Sequence, residues 1–267
     1  MLEYSFMQHA FISGTIIAFV CGWISTFVIL RRSAFAAHAL GHTSLTGAAG
    51  AVLIGVSAIS GQLIINLIAA FIMGLLGDKV KKNDLVIGIV LTFFLGLGAY
   101  FLFLYQNNYA GGVMSILFGN ILAVSLNQIY VLCLLALIVI FVLIICMRPL
   151  LFASIDPTVA SAKKVPIKLL NIIFFLLLAI TVSMGCQIVG VLLVFALMVV
   201  PGAVAAQWCK QFYSLIGVSI IVAIATVWIS LTSAFYLNLP TSVCITTLLC
   251  FFYFIGLVKN YIIKFFE

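Results

Sequence analysis

Apolar runs of about twenty residues, unbroken by any charged side chain, recur along this sequence and restrict its fold more than any other feature. Residues 85–105 form one such run. Because a helix rises 1.5 Å per residue, a run of this length crosses a hydrocarbon core about 30 Å thick. In lipid every backbone N–H and C=O needs a partner within the protein, so only helices or closed barrels span a membrane. Barrel strands would alternate in polarity. The runs do not alternate, and the chain is therefore predicted to be an all-α integral membrane protein.

The composition supports this fold class and excludes a soluble domain. Hydrophobic residues make up 66% of the chain and charged residues 6%, whereas soluble domains carry about 25% charged residues. The formal net charge of +7 does not indicate nucleic-acid binding, because the basic residues are scattered beside apolar spans. No domain boundary or internal repeat is evident, so residues 1–267 are predicted to form a single transmembrane domain with lipid as its surroundings.

The apolar runs predict a polytopic bundle of about nine transmembrane helices. The predicted spans lie at roughly residues 10–30, 35–56, 60–77, 85–105, 127–147, 167–184, 187–207, 213–236 and 241–258. With nine spans every Lys and Arg falls on one side, which the positive-inside rule assigns to the cytoplasm. The N-terminus, with His9, is then expected outside and the C-terminus inside.

A glycine-containing segment at residues 111–120 is too short to cross the membrane. It predicts a re-entrant or interfacial helix on the outer side. An extension of the following span is the alternative.

The few carboxylates indicate how transport would be driven. The sequence has five acidic residues, and none lies in the middle of a predicted span. Ion-coupled carriers place ionisable groups at membrane depth, so coupling to an ion gradient is disfavoured. The sequence also lacks a GxxxxGK[ST] phosphate loop, so the chain is not expected to be an enzyme that hydrolyses ATP. A partner must supply the energy. A secondary carrier or channel for a small solute remains the alternative.

Two histidines near the start of the second span are candidate metal ligands. His38 and His42 are four residues apart, which places their Cβ atoms about 5–6 Å apart on one helix face. Two neutral imidazoles can share a borderline-soft cation such as Zn²⁺. Thr43, Ser44 and backbone carbonyls are further candidate ligands. The alternative is a pair of interfacial histidines that bond to carbonyl oxygens.

Two further sites carry helix signals. Asp156 followed by Pro157 predicts the start of a short cytoplasmic helix, because Asp caps helices and Pro favours the first helical position. That helix is interpreted as a docking site for a partner or as a capped linker. Pro201, followed by Gly202, is expected to break the seventh span. Such a break marks a hinge of a transport pathway or a packing kink.

Six features, taken in order along the chain, carry a resemblance to a known family. They are Arg31 with Arg32, then segments 37–45, 84–90, 117–122, 152–157 and 190–203. Together they resemble the permease family of zinc/manganese ABC importers. His42 matches the family histidine, and His38 stands where the family usually has Asp. Segment 152–157, followed by Ala160, resembles the family's docking element, and Lys164 stands where that loop often has Gly.

The resemblance implies a fold of the ABC-importer permease type and a function in metal import. Zinc is the first expected cargo and manganese the second, and no permanently bound cofactor is expected. The implied partners are a cytoplasmic ABC ATPase, an extracytoplasmic metal-binding protein and a second copy of this chain. The implied location is the bacterial plasma (inner) membrane. The implied docking residues are Asp156, Pro157 and Ala160.

Overall fold

A computed structural model describes residues 3–77, 80–104, 119 and 121–266, with side chains for all of these except 80–83 and 263–266. Helices account for every regular element in these ranges. The long helices are α1 (Ser5–Leu30), α2 (Ala34–Ile54), α3 (Ala58–Leu76), α4 (Val80–Leu104), α5 (Leu126–Ile155), α7 (Ile167–Ile188), α8 (Val191–Trp208), α9 (Phe212–Leu237) and α10 (Thr241–Phe266). A 3₁₀ turn (Ile121–Ala123) precedes α5, and the short α6 (Pro157–Ala162) follows it.

The predicted all-α membrane bundle is confirmed. Eight described helices are long and apolar enough to cross a membrane, namely every long helix except α2. The 21 residues of α2 would reach about 31 Å, so its length also suffices. Its alanines, glycines and polar residues lower its hydropathy, but α3, α4, α7 and α8 pack around it. A helix that packs among other helices does not need an apolar surface. We therefore assign α2 to the second predicted span, residues 35–56, which brings the described spans to nine.

The fifth predicted span ends too early. Residues 127–147 were expected to cross, whereas α5 continues through Pro149 to Ile155. The structure thus extends this helix to Asp156, directly before α6. The apolar run ends at Arg148, its first charged residue, whereas the helical backbone continues to Ile155.

A close crossing joins α2 to α3. A Cβ added at Gly47 would lie 2.5 Å from the Gly61 carbonyl oxygen and 2.8 Å from the Cα of Gln62. A Cβ added at Gly61 would in turn meet the Gly47 carbonyl oxygen. Small residues at helix interfaces in membranes allow backbones to approach this closely. The two glycines therefore set the distance between α2 and α3.

Three helix ends that the charge pattern assigns to the cytoplasm lie together. The Arg31 side chain, directly after α1, donates from Nη2 to Asn171 Oδ1 of α7 at 2.7 Å. Asn171 Nδ2 donates to the carbonyl oxygens of Gly74, at 3.2 Å, and Gly77, at 3.4 Å, at the end of α3. The Arg31 guanidinium also lies 4.8 Å from the centre of the Phe174 ring. Three hydrogen bonds of the Asn171 side chain thus tie α1, α3 and α7 together.

At the opposite end, His9 of α1 lies beside the segment that leads into α5. Its Nδ1 is 3.2 Å from the carbonyl oxygen of Val124. Ser125 and Gln128 then form a reciprocal cap at the start of α5. The predicted re-entrant helix at residues 111–120 lies outside the described residues, apart from Gly119.

We expect Gly61→Ala to destabilise the bundle by about 1–3 kcal/mol, because the added methyl group overpacks the crossing with α2. Gly96→Ala is the matched control, since a Cβ there would meet no atom within 4 Å and alanine favours helix. Thermal unfolding of both purified variants in detergent measures the difference. A Gly61→Ala midpoint equal to that of Gly96→Ala would contradict the close crossing.

Candidate functional site

The structure brings His38 and His42 together on one face of α2, as their spacing predicts. Their ring centroids are 4.6 Å apart, and the two ring planes are inclined at 77°. Both side chains are half-buried. The two imidazoles therefore lie close enough to contact one cation, and neither is fully covered by its own chain.

An aromatic ring lies beside the histidine pair. The Phe195 ring of α8 lies 5.1 Å from the His38 ring, edge-on at 71°. Within the residues that the structure describes, no three side chains of His, Cys, Asp or Glu form a group that could hold a metal ion. The described chain therefore offers two imidazole ligands at this position. Among the described residues, any further ligand would be a different chemical group.

The hydroxyls of Thr43 and Ser44, which we considered as further ligands, are engaged elsewhere. Thr43 Oγ1 donates to Asn66 Oδ1 of α3 at 2.6 Å. Ser44 Oγ accepts from Asn66 Nδ2 at 2.6 Å and donates to the carbonyl oxygen of Leu40. Sequence reasoning missed Asn66. The available signal was an amide side chain near the middle of an apolar span, where an unpaired polar group is costly.

The predicted capped helix is present as α6. Asp156 Oδ1 accepts from the backbone N–H groups of Thr158 and Val159, both at 3.0 Å, and from the Thr158 hydroxyl. The Thr158 hydroxyl and the Val159 N–H hold the pKa of the Asp156 carboxyl below its ordinary value. The carboxylate therefore stays ionised at neutral pH, and the cap is lost only as pH falls through that lowered pKa.

One face of α6 is buried and the other is open. Ala160 is fully buried against the bundle, whereas Val159 is 44% exposed and Ile155, at the end of α5, is 70% exposed. Pro157 occupies the first turn of α6 and is also exposed. The arrangement presents exposed apolar side chains on a helix whose start is held by a charged cap.

Lys164, the second residue of the loop after α6, has a backbone φ of +58°. This left-handed conformation favours glycine, because a Cβ there meets the following carbonyl oxygen. The backbone geometry at position 164 therefore favours the glycine that the family resemblance leads us to expect there.

The expected break at Pro201 is absent, since α8 runs without interruption from Val191 to Trp208. Ser25 of α1 lies against this point. Its Oγ accepts from the Gly202 N–H at 2.7 Å and donates to the Val199 carbonyl oxygen at 3.3 Å. A neighbouring hydroxyl thus binds backbone groups next to the proline, which is how proline is tolerated inside membrane helices. The hinge role of Pro201 and Gly202 remains a prediction.

The chain resembles known transport proteins over nearly its whole length. The model of the ABC 3 transport family matches residues 3–260. The manganese transport system membrane protein MntC of Halalkalibacterium halodurans is 34% identical over 206 residues, which are 77% of this chain and 70% of that protein. The chelated iron transport system membrane protein YfeD of Yersinia pestis is 28% identical over 261 residues, covering 97% of this chain and 87% of YfeD. The structure of PsaBC from Streptococcus pneumoniae in complex with Fab is similar, with a TM-score of 0.83 and 26% identity, covering 96% of this chain and 92% of that one.

We expect Lys164→Gly to stabilise the protein by up to about 1 kcal/mol, because glycine adopts the left-handed conformation without the Cβ clash. Lys163→Gly is the control: its φ is −84°, so glycine there adds freedom to the unfolded chain, and it also removes the contact of the Lys163 ammonium with the Phe152 ring, 5.5 Å away. Both effects should destabilise the protein. Both variants remove one lysine charge from the same loop. Unfolding midpoints in detergent test the pair, and a Lys164→Gly variant no more stable than Lys163→Gly would show that the strain is absent.

Proposed function

The chain belongs to the ABC 3 transport family, and from this membership we propose that it is the permease subunit of an ATP-driven importer for a divalent transition metal. The observation that carries the proposal is the pair of adjacent imidazoles on α2, the helix that the bundle shields from lipid. Manganese is the first candidate cargo, because relatives named for manganese transport are similar over most of the chain. Zinc, which the sequence alone placed first, is the second.

Ligand chemistry favours transition metals over calcium and magnesium. Those two hard cations prefer oxygen ligands, whereas imidazole suits zinc, iron and related metals. Carboxylate suits manganese better than imidazole does. A histidine at position 38, where the family usually has Asp, therefore weakens discrimination against zinc in the proposed site.

A second copy of the chain would supply two more imidazole ligands. Two imidazoles from one chain leave two positions open on a four-coordinate Zn²⁺ and four on an octahedral Mn²⁺. A two-fold axis beside α2 would present the same two side chains again, because such an interface uses one patch on both subunits. The half-buried state of His38 and His42 supports this arrangement, since each keeps surface that its own chain does not cover. We therefore propose a homodimer with the metal pathway between the copies.

The remaining partners follow from how the transport is driven. The five acidic residues of the sequence leave no carboxylate in the middle of a described span. A cytoplasmic ABC ATPase would supply the energy and dock on α6, where Asp156 and Pro157 start the helix and Ala160 anchors it. An extracytoplasmic metal-binding protein would deliver the ion. The site of action is the bacterial plasma membrane.

The metal prediction concerns uptake by histidine variants. We expect His38→Ala and His42→Ala each to remove most manganese uptake, and the double variant to add little, because ligands of one ion act as a unit. His9→Ala is the matched control among the three histidines of the chain, since its contact is with the Val124 carbonyl oxygen. Uptake is measured at limiting metal in membranes with equal amounts of each variant.

A further variant tests the metal selectivity of the same site. His38→Asp should raise uptake of manganese relative to zinc, because a carboxylate replaces an imidazole. Normal uptake by both single alanine variants would exclude the metal site. Uptake by the wild-type chain without an ATPase would favour a secondary carrier or channel.

The docking prediction concerns the open face of α6. Val159→Glu should weaken ATPase binding by about 2 kcal/mol or more if Val159 is central to the interface. Asp156→Ala should weaken it less, since a lost cap costs about 1 kcal/mol. Leu239→Glu is the control, because Leu239 is 48% exposed at the opposite end of the bundle. Co-purification of the ATPase measures the effect. If the Val159→Glu variant co-purified as much ATPase as the wild type, docking at α6 would be ruled out.

A further inference from the structure

Asn66 joins three helices through one side chain. It lies near the middle of α3 and is fully buried. Its Oδ1 accepts from Thr43 Oγ1 of α2 at 2.6 Å. Its Nδ2 donates to Ser44 Oγ of α2 at 2.6 Å and to Ser183 Oγ of α7 at 2.8 Å. One carboxamide therefore links α2 to α3 and α7.

The hydroxyls around Asn66 have backbone acceptors as well. Thr43 and Ser44 both reach the Leu40 carbonyl oxygen at 3.0 Å. Ser183 Oγ donates to the Ala179 carbonyl oxygen at 2.8 Å. Each hydroxyl would thus remain hydrogen-bonded inside its own helix if Asn66 were replaced. The bonds made by Asn66 are the part of this cluster that acts between helices.

The cluster holds the side of α2 that faces away from the histidines. Successive residues of a helix are rotated by about 100° around its axis. The mean direction of Thr43 and Ser44 therefore lies about 170° from the mean direction of His38 and His42. Outside this cluster, one further hydrogen bond holds α2, from Thr46 Oγ1 to the Phe94 carbonyl oxygen of α4 at 2.7 Å. The other buried residues of α2 are mostly alanine, glycine and small polar side chains, which restrain rotation weakly. The backbone approach at Gly47 and Gly61 sets a distance but provides no large side chain that would lock the helix angle.

A small rotation of α2 would displace the imidazoles by more than a metal site tolerates. A turn of about 20° moves an atom about 5 Å from the helix axis by almost 2 Å. Metal–ligand distances are held to about 0.2 Å. We propose that Asn66 is a positioning residue that fixes the rotation of α2, and with it the direction in which His38 and His42 meet the metal. This inference rests on the proposed function of the histidine pair.

The test is Asn66→Leu in the full permease–ATPase complex. Leucine has nearly the shape of asparagine, and the freed hydroxyls keep their backbone acceptors, so the variant is expected to fold. The KM for Mn²⁺ uptake into proteoliposomes should rise by about ten- to a hundredfold, the usual effect of losing a group that orients a metal ligand. The maximal rate should stay within about twofold, which separates a binding effect from a general loss of function.

A spectroscopic probe reads the geometry directly. Co²⁺ in place of manganese should give a ligand-field absorption spectrum in the wild type that changes in Asn66→Leu. A purely structural role would lower the unfolding midpoint and leave both the KM and the Co²⁺ spectrum unchanged. Ser230→Ala is the control, because Ser230 is a buried hydroxyl without a hydrogen-bond partner among the described residues. It should keep the wild-type KM.

The outcomes separate this inference from the function on which it rests. A wild-type KM and Co²⁺ spectrum in Asn66→Leu, with both lost in His38→Ala, would overturn the positioning role alone. A wild-type KM in His38→Ala as well would overturn the metal site itself. If Asn66→Leu does not reach the membrane, Thr43→Val and Ser183→Ala carry the test, since each removes one bond to Asn66. An unchanged KM in both would then overturn the proposal.

Discussion

The absence of water around the spans is the constraint on which the rest of this structure depends. Every polar group at membrane depth must find its partner inside the protein. Most hydroxyls in the described spans meet the requirement locally, as Thr181 does by donating to the Leu177 carbonyl oxygen one turn earlier. Four buried side chains meet it between helices, namely Asn66, Ser25, Thr46 and Ser219. Polar bonds between helices are therefore few, and each one restrains how two helices sit against each other.

This constraint also decides where a polar function can be placed. The histidines lie on α2, the long helix that is not apolar enough to count as a span by composition. It can stay polar because α3, α4, α7 and α8 cover it. Its small residues permit that cover, since Gly47 and Gly61 bring two backbones close together. The position of α2 among four other helices thus accounts for its low apolarity and its tight packing, and it allows this helix to carry the histidine pair.

Patterns within one helix could be predicted from the sequence, and contacts between helices could not. The apolar runs predicted the membrane bundle, and Asp156 with Pro157 predicted the start of α6, because both signals are local. The spacing of His38 and His42 fixed their shared face for the same reason. The Asn66 and Ser25 contacts join residues more than twenty and more than 170 positions apart in sequence, and no spacing rule reaches that far. The predicted helix break at Pro201 was wrong, and Ser25 of a distant helix binds the backbone groups beside this proline. The predicted end of the fifth span was too early, because a charge ends an apolar run but does not end a helix.

A transport site has to bind its ion and then release it, and an incomplete ligand set serves both needs. Two imidazoles from one chain hold a cation less tightly than the four ligands of a closed structural site. In the proposed dimer all four imidazoles would reach the ion only while both copies of α2 face each other at the right angle. A rotation of either α2 would remove two ligands at once, so release would require no chemical change at the histidines. The part of the molecule that sets this angle then matters as much as the ligands themselves. In the described bundle Asn66 makes the side-chain hydrogen bonds that join α2 to α3, and Thr46 adds one to the Phe94 carbonyl oxygen of α4.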